Sequence, residues 1–194
     1  MSMHAQFKHQ LTPAIRHKAL AHPMFDALSD DEVELIFTLV SYGALHEGDR
    51  IFKEGDPGNQ CYFMLSGAVE VTKRLGEGEE TLLATLKAGD LFGEIALIDR
   101  KPRSASCRVA RGGAELLSLS TDSFERLFSA QSSFAYKVLD RVVIDLSKRL
   151  RGATAELQRA QLAPDAAQRN TLSLRAAQLL TSAHSSHNPR AEVR

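Results

Sequence analysis

Neither sign of charge is in excess in this sequence: 24 Lys plus Arg stand against 24 Asp plus Glu. That balance argues against a chain built to wrap nucleic acid, which needs a clustered positive surplus, although a local basic patch stays open. Cysteine occurs twice and tryptophan not at all. Cys61 and Cys107 lie far apart, show no metal-type spacing, and sit in apolar, strand-like surroundings. They are expected to be inert core thiols rather than a redox pair. No apolar run approaches the ~20 residues needed to cross a bilayer. Met1 to Gln10 is polar and lacks the apolar segment of a secretory signal. A cytoplasmic location is expected, and no internal repeat is visible.

What is present is enough hydrophobic sequence for a core. Hydrophobic residues make up 43% of 194 positions and charged residues 25%, as in one ordinary domain with some extra helix. Residues 5–22 read as a loosely amphipathic helix, interrupted by Pro23. Ser29, followed by Asp30, Asp31 and Glu32, has the form of an N-cap with acidic first-turn residues, predicting a helix through Val33, Leu35, Ile36 and Leu39. From about Ala44 to Ser120, short runs of Val, Ile, Leu, Phe and Thr alternate with Gly and Asp punctuation. Examples are Gly48-Asp49, Gly55-Asp56-Pro57-Gly58, Ser66-Gly67, Gly76-Glu77-Gly78, Gly89-Asp90 and Gly112-Gly113. Turn signals every ~8–12 residues predict an antiparallel barrel or sandwich of the jelly-roll kind.

After Thr121 the pattern becomes helical. Leu139, Val143, Leu146, Leu150, Ala153, Leu157 and Ala160 alternate spacings of four and three, an a/d seam flanked by charged residues. Such a seam predicts a parallel two-helix contact between copies; an amphipathic helix packed on its own barrel is the alternative. Gly152 and the two alanines weaken the coil. Pro164 is expected to end this helix. A short helix over about Pro164 to Ser182 follows, and then a disordered tail.

The stretch Gly89-Asp90-Leu91-Phe92-Gly93-Glu94-Ile95-Ala96-Leu97-Ile98, continued by Pro102-Arg103-Ser104-Ala105-Ser106, carries the chemistry. A strand stops at Gly93, where the missing side chain lets a ligand approach the backbone. Glu94 to Leu97 has the propensity for one helical turn, whose free N–H groups suit an anion. Arg103 can offer two parallel donors to phosphate oxygens, and Ser104 adds a hydroxyl. An acid beside a phosphate is repulsive unless it accepts hydrogen bonds from a sugar hydroxyl, the role this pattern leaves for Glu94.

These residues resemble the phosphate-binding cassette of the cyclic-nucleotide-binding domain family, which includes bacterial cyclic-AMP-responsive regulators, kinase regulatory subunits and nucleotide-gated channels. The match is to F-G-E-[LI]-A-L…P-R-[SAT]-A, with the Glu94–Arg103 interval typical of the kinase and channel branches. Gly48-Asp49-Arg50-Ile51, Gly55-Asp56 and Tyr62 to Val71 support it, and the resemblance covers about residues 24–160. It implies that Glu94 holds the ribose 2′-hydroxyl beside the Gly93 backbone, with Ile95 and Ala96 in the following turn. It also implies that Arg103 pairs with the cyclic phosphate, and that the Ser104 and Ala105 amides cap that phosphate. Val71 and Leu83 would line sugar and base, and Thr154 would touch the base. Ser104 stands where members divide by ligand, and it favours cyclic AMP over cyclic GMP.

The resemblance therefore implies an α+β fold: N-terminal helices, an eight-stranded antiparallel jelly-roll and a long C-terminal dimerisation helix. The expected divisions are a helical extension over residues 1–23, the nucleotide-binding barrel over 24–130, the long helix over 131–163, and a short helix and flexible tail over 164–194. No catalytic residue, metal or cofactor is expected. Of seven histidines only His46 lies in the strand region, too few for a cupin-type metal centre, and His184 and His187 sit in the tail. The segment after Pro164 is too short for the helix-turn-helix of the bacterial regulators, so DNA binding is not expected. The expected function is a sensor signalling through its C-terminal helix to a protein effector, as a homodimer. The alternatives are a nucleotide-independent scaffold, or a sensor of cyclic GMP or a cyclic dinucleotide.

Overall fold

Two strands of 15 residues each, β3 (Gln60–Arg74) and β6 (Ser106–Ser120), pair antiparallel from Gln60 opposite Ser120 to Thr72 opposite Ser106. In the computed structural model, which describes residues 7–8, 11–74, 80–162 and 165–181, the rest of the sheet is built on this pair. β1 (Val40–Leu45) and β2 (Arg50–Phe52) pair with the two ends of β6, while β4 (Glu80–Lys87) and β5 (Leu91–Phe92) pair with the two ends of β3.

Six strands form among the described residues, not the expected eight. Ser66-Gly67 and Gly112-Gly113, expected to be turns, are bends within continuous strands. The register shifts between Met64 and Ser66 and again between Gly67 and Val69. Gly67 has φ +78°, and a Cβ there would lie 2.1 Å from the Gly113 carbonyl oxygen. Bulges at glycine let a long strand fold over on itself and serve both ends of the barrel.

Along β3 the period of two sorts residues between two cores. Cys61, Phe63 and Leu65 join the helices, whereas Tyr62 and Met64 point into the barrel with Val69, Val71, Leu86, Phe92 and Leu116. The helical core gathers Phe25, Phe37 and Phe134 around Phe63. Burial pushes the Cys61 and Cys107 thiols up, out of the reactive range.

α1 covers only Pro13–Leu20, capped by Thr12, with Pro13 at its first position. The preceding Lys8 instead makes a bridge to Tyr42 of β1, so residues 5–22 do not form one helix. α2 (Asp30–Leu39) begins at Ser29 as expected, with a reciprocal capping box to Glu32. The Glu32 carboxylate also accepts from the Ser133 amide at 3.0 Å, joining α2 to the start of the long helix.

α4 (Thr121–Ser129) leads into α5 (Ser133–Leu162), whose first turns bury Phe134, Ala135, Val138 and Val142. α6 (Ala166–Thr181) folds back along α5 and also touches β4. The expected seam is therefore divided. Leu139 packs on the helical core, Ala153 and Ala160 are buried, and Val143, Leu146, Leu150 and Leu157 remain exposed. Residues 1–6, the turn expected at Gly76-Glu77-Gly78, the helix end expected at Pro164 and the tail expected after Ser182 lie outside the described residues. Among those described, no helix is long and apolar enough to cross a membrane.

Candidate ligand-binding site

β5 runs into Gly93, whose φ of +71° and close packing both exclude a side chain; a Cβ there would lie 2.7 Å from Arg103 Nη1. Glu94 follows, then the short helix α3 (Ile95–Asp99), which ends at Arg100 with φ 54°. The loop between β2 and β3 holds the other side of the cassette. The Arg103 amide donates to the Asp56 carbonyl at 2.9 Å, and the Gly55 amide donates to the Arg103 carbonyl at 2.9 Å. A Cβ on Gly58 would fall 2.2 Å from that of Ala96. The upstream Gly-Asp-Pro-Gly motif is thus a close-packed buttress as well as a turn.

Arg103 is buried and held by three contacts. Nη1 donates to the Gly93 carbonyl at 2.9 Å, Nη2 donates to the Gln60 carbonyl at 2.7 Å, and the guanidinium lies 4.2 Å over the Phe52 ring. Its Nε is buried without a hydrogen-bond partner. Burial pulls its pKa below the ordinary value, yet a guanidinium stays cationic at neutral pH. This is a fixed positive charge with donor capacity to spare.

Glu94 is also buried. Desolvation pushes its carboxyl above the usual carboxylate range, and the charge of Arg149 opposes that rise. Arg149 descends from α5 and places Nη2 3.4 Å from Glu94 Oε1. One turn earlier, Arg141 Nε holds the buried Asp145 at 2.9 Å. Around these charges Val71, Gly93, Glu94, Ile95, Ala96, Arg103, Ser104 and Ala105 line a single cavity, together with Phe52, Phe92, Asp99, Cys107 and Arg149. Its free volume is about 60 Å³, room for a few waters at ~10–15 Å³ each.

Residues 43–131 match the model of the cyclic nucleotide-binding domain. The barrel belongs to the cyclic nucleotide-binding domain family. The chain is 35% identical over 135 residues to the cyclic AMP receptor protein of Thermus thermophilus, covering 70% of this chain and 60% of that protein. It is 45% identical over 80 residues to a cAMP-dependent protein kinase regulatory subunit of Emericella nidulans, covering 41% of this chain and 18% of that one. The chain therefore spans only part of these relatives' length. A cyclic nucleotide-binding domain from Methylobacillus flagellatus superposes with a TM-score of 0.65 at 26% identity, covering 78% of this chain and 87% of that structure. The family is regulatory, not catalytic.

Within this cyclic nucleotide-binding domain, eight of the ten residues expected at the site share the cavity. Leu83 and Thr154 do not. Leu83 packs half-buried on the barrel core, and Thr154 is exposed with its hydroxyl donating to the Leu150 carbonyl at 2.9 Å. Arg149 was not foreseen. Its only trace in the sequence is a long cation at the border of the apolar seam.

Proposed function

We propose that this chain is a sensor that binds a cyclic mononucleotide, cyclic AMP in preference to cyclic GMP, and signals to a protein effector by movement of α5. The carrying observation is that a buried cation, Arg103, and a buried acid, Glu94, face one cavity from the two sides of α3. A cyclic phosphate would take the unused donors of Arg103 and the Ser104 and Ala105 amides, while a ribose hydroxyl would donate to Glu94. The names of the Thermus and Emericella relatives support cyclic AMP as the base choice, as does Ser104.

The mechanism follows from the pairing of Glu94 with Arg149. A ribose hydroxyl that donates to Glu94 competes with Arg149 for that carboxylate, so Arg149 leaves Glu94 and α5 shifts with it. Binding then moves a population of closed molecules to an open one. Leu97 of α3 packs in the same core as Phe134, Val138 and Val142 of α5, which supports coupling between cassette and helix. Ile98, the next residue of α3, is exposed. The exposed stripe Val143, Leu146, Leu150 and Leu157 supports a homodimer built through α5.

Isothermal titration with cyclic AMP and cyclic GMP, on wild type and Arg103→Ala, tests the reading. The expected result is micromolar or tighter binding, stronger for cyclic AMP, and weakened more than tenfold in the variant, since hydrogen bonds to charged groups are worth about 1.5–3 kcal/mol. Equal affinity in the variant would remove Arg103 from phosphate recognition. Absence of heat with either nucleotide would favour an interaction module.

A further inference from the structure

Gly152 stands in the interior of a 30-residue helix, where glycine costs about 1 kcal/mol relative to alanine. Its neighbour explains it: a Cβ at Gly152 would lie 3.2 Å from Leu179 Cδ1 of α6. The two helices pack along each other, and small side chains are buried on both, Ala153 and Ala160 on α5 and Ala176 on α6. Small residues of this kind let two helix backbones approach closely. The same α6 reaches β4, on the barrel. One helix thus touches both α5 and the barrel, and it meets α5 about one turn beyond Arg149, the residue that lines the cavity and pairs with Glu94.

We propose that α6 is an autoinhibitory strap: docked on α5 and β4, it fixes α5 where Arg149 holds Glu94, the acid a ribose hydroxyl would take, and its release raises nucleotide affinity. This rests on the reading of the cavity as a cyclic-nucleotide site. The strap is lightly held. Among its described side chains Ala176 is the one fully buried, while Leu174, Leu179 and Leu180 stay 37–46% exposed. An element with so little buried surface opens at low free-energy cost. Because the strap and the nucleotide favour opposite positions of α5, the coupling is reciprocal, so nucleotide binding loosens α6 as much as α6 weakens binding.

The test is titration of cyclic AMP into full-length variants. Ala176→Glu and Leu179→Asp, which undock α6 at two different points, should each tighten binding by about fivefold or more, within the range of ordinary allosteric coupling. Leu174→Asp, on the exposed side of α6, should bind as wild type does. A Gly152→Cys/Leu179→Cys pair gives the reverse test, since both native cysteines are buried. Oxidation should weaken binding, and reduction should restore it. Binding by the undocked variants that is unchanged or weaker overturns the strap. If Arg103→Ala still abolishes binding in that case, the cyclic-nucleotide reading stands without it. If neither wild type nor the undocked variants bind cyclic AMP, both readings fall together. Binding only after undocking would support the strap most strongly.

Discussion

Glu94 lies among apolar atoms with the Arg149 guanidinium 3.4 Å from its carboxylate, and burial raises its pKa. A carboxyl whose pKa is higher folded than unfolded binds its proton more tightly in the folded state. Stability is then lost as pH rises from about 4.5 through the folded value. Removing Arg149 takes away the charge that opposes this rise. Arg149→Met should therefore lose more thermal stability than wild type between pH 5 and pH 8, as followed by circular dichroism. His22 behaves in the opposite sense. Burial beside Phe63 lowers its pKa from 6.5 to about 4, against the Asp90 carbonyl, which raises it. Arg141 lowers it further, and the carboxylates of Asp90 and Asp26 raise it. Its contribution is fully present above pH 6.5 and is lost as pH falls toward 4, a loss of about 3 kcal/mol. Urea unfolding across that range should show the slope in wild type and not in His22→Gln, whatever the variant loses at neutral pH.

At the scale of elements, the sequence was most legible where the determinants are contiguous. Ser29 and Glu32 lie three apart and form a capping box, so the start of α2 was readable. Ser29→Ala should cost about 1 kcal/mol in chemical denaturation. The cassette from Gly93 to Ala105 was readable for the same reason, since its chemistry is set by neighbours in the chain. Strand number was not. Gly67 and Gly113 signal backbone conformation, but whether a positive φ makes a turn or a bulge depends on which strands lie opposite. The seam of α5 was legible as a stripe but not as a destination. Ala153 and Ala160 are buried while Val143, Leu146, Leu150 and Leu157 are exposed, and Gly152 meets Leu179 of α6, a tertiary choice that periodicity does not encode. Arg149 lines the cavity without having been expected there, and Thr154, which was expected, does not: which side of α5 meets the cavity is decided by how Phe134, Val138 and Val142 seat the helix. Phe134, fully buried among Phe25 and Phe63, is the anchor, and Phe134→Ala should cost about 3–5 kcal/mol.

At the scale of the molecule, one carboxylate ties the N-terminal helix α1 to three strands of the barrel. The Glu115 carboxylate on β6 accepts from Lys18 of α1, Ser66 of β3 and, at 2.6 Å, Tyr42 of β1. Burial alone would raise its pKa, but these three donors hold it at about 2. Among the described residues, Val143, Leu146, Leu150 and Leu157 leave an exposed apolar stripe along α5. Sedimentation equilibrium should show wild type as a dimer and Leu150→Asp as a monomer of the same fold. A monomeric wild type would remove the dimer from the account. The central claim concerns the division of labour in the cavity, and a double-mutant cycle tests it most directly. Cyclic AMP and its 2′-deoxy analogue would be titrated into wild type and Glu94→Ala. Loss of the 2′-hydroxyl should weaken binding by at least tenfold in wild type, as expected for a hydrogen bond to a charged group, and add nothing in Glu94→Ala. An equal loss in both proteins would show that Glu94 does not hold the ribose, and would contradict the account.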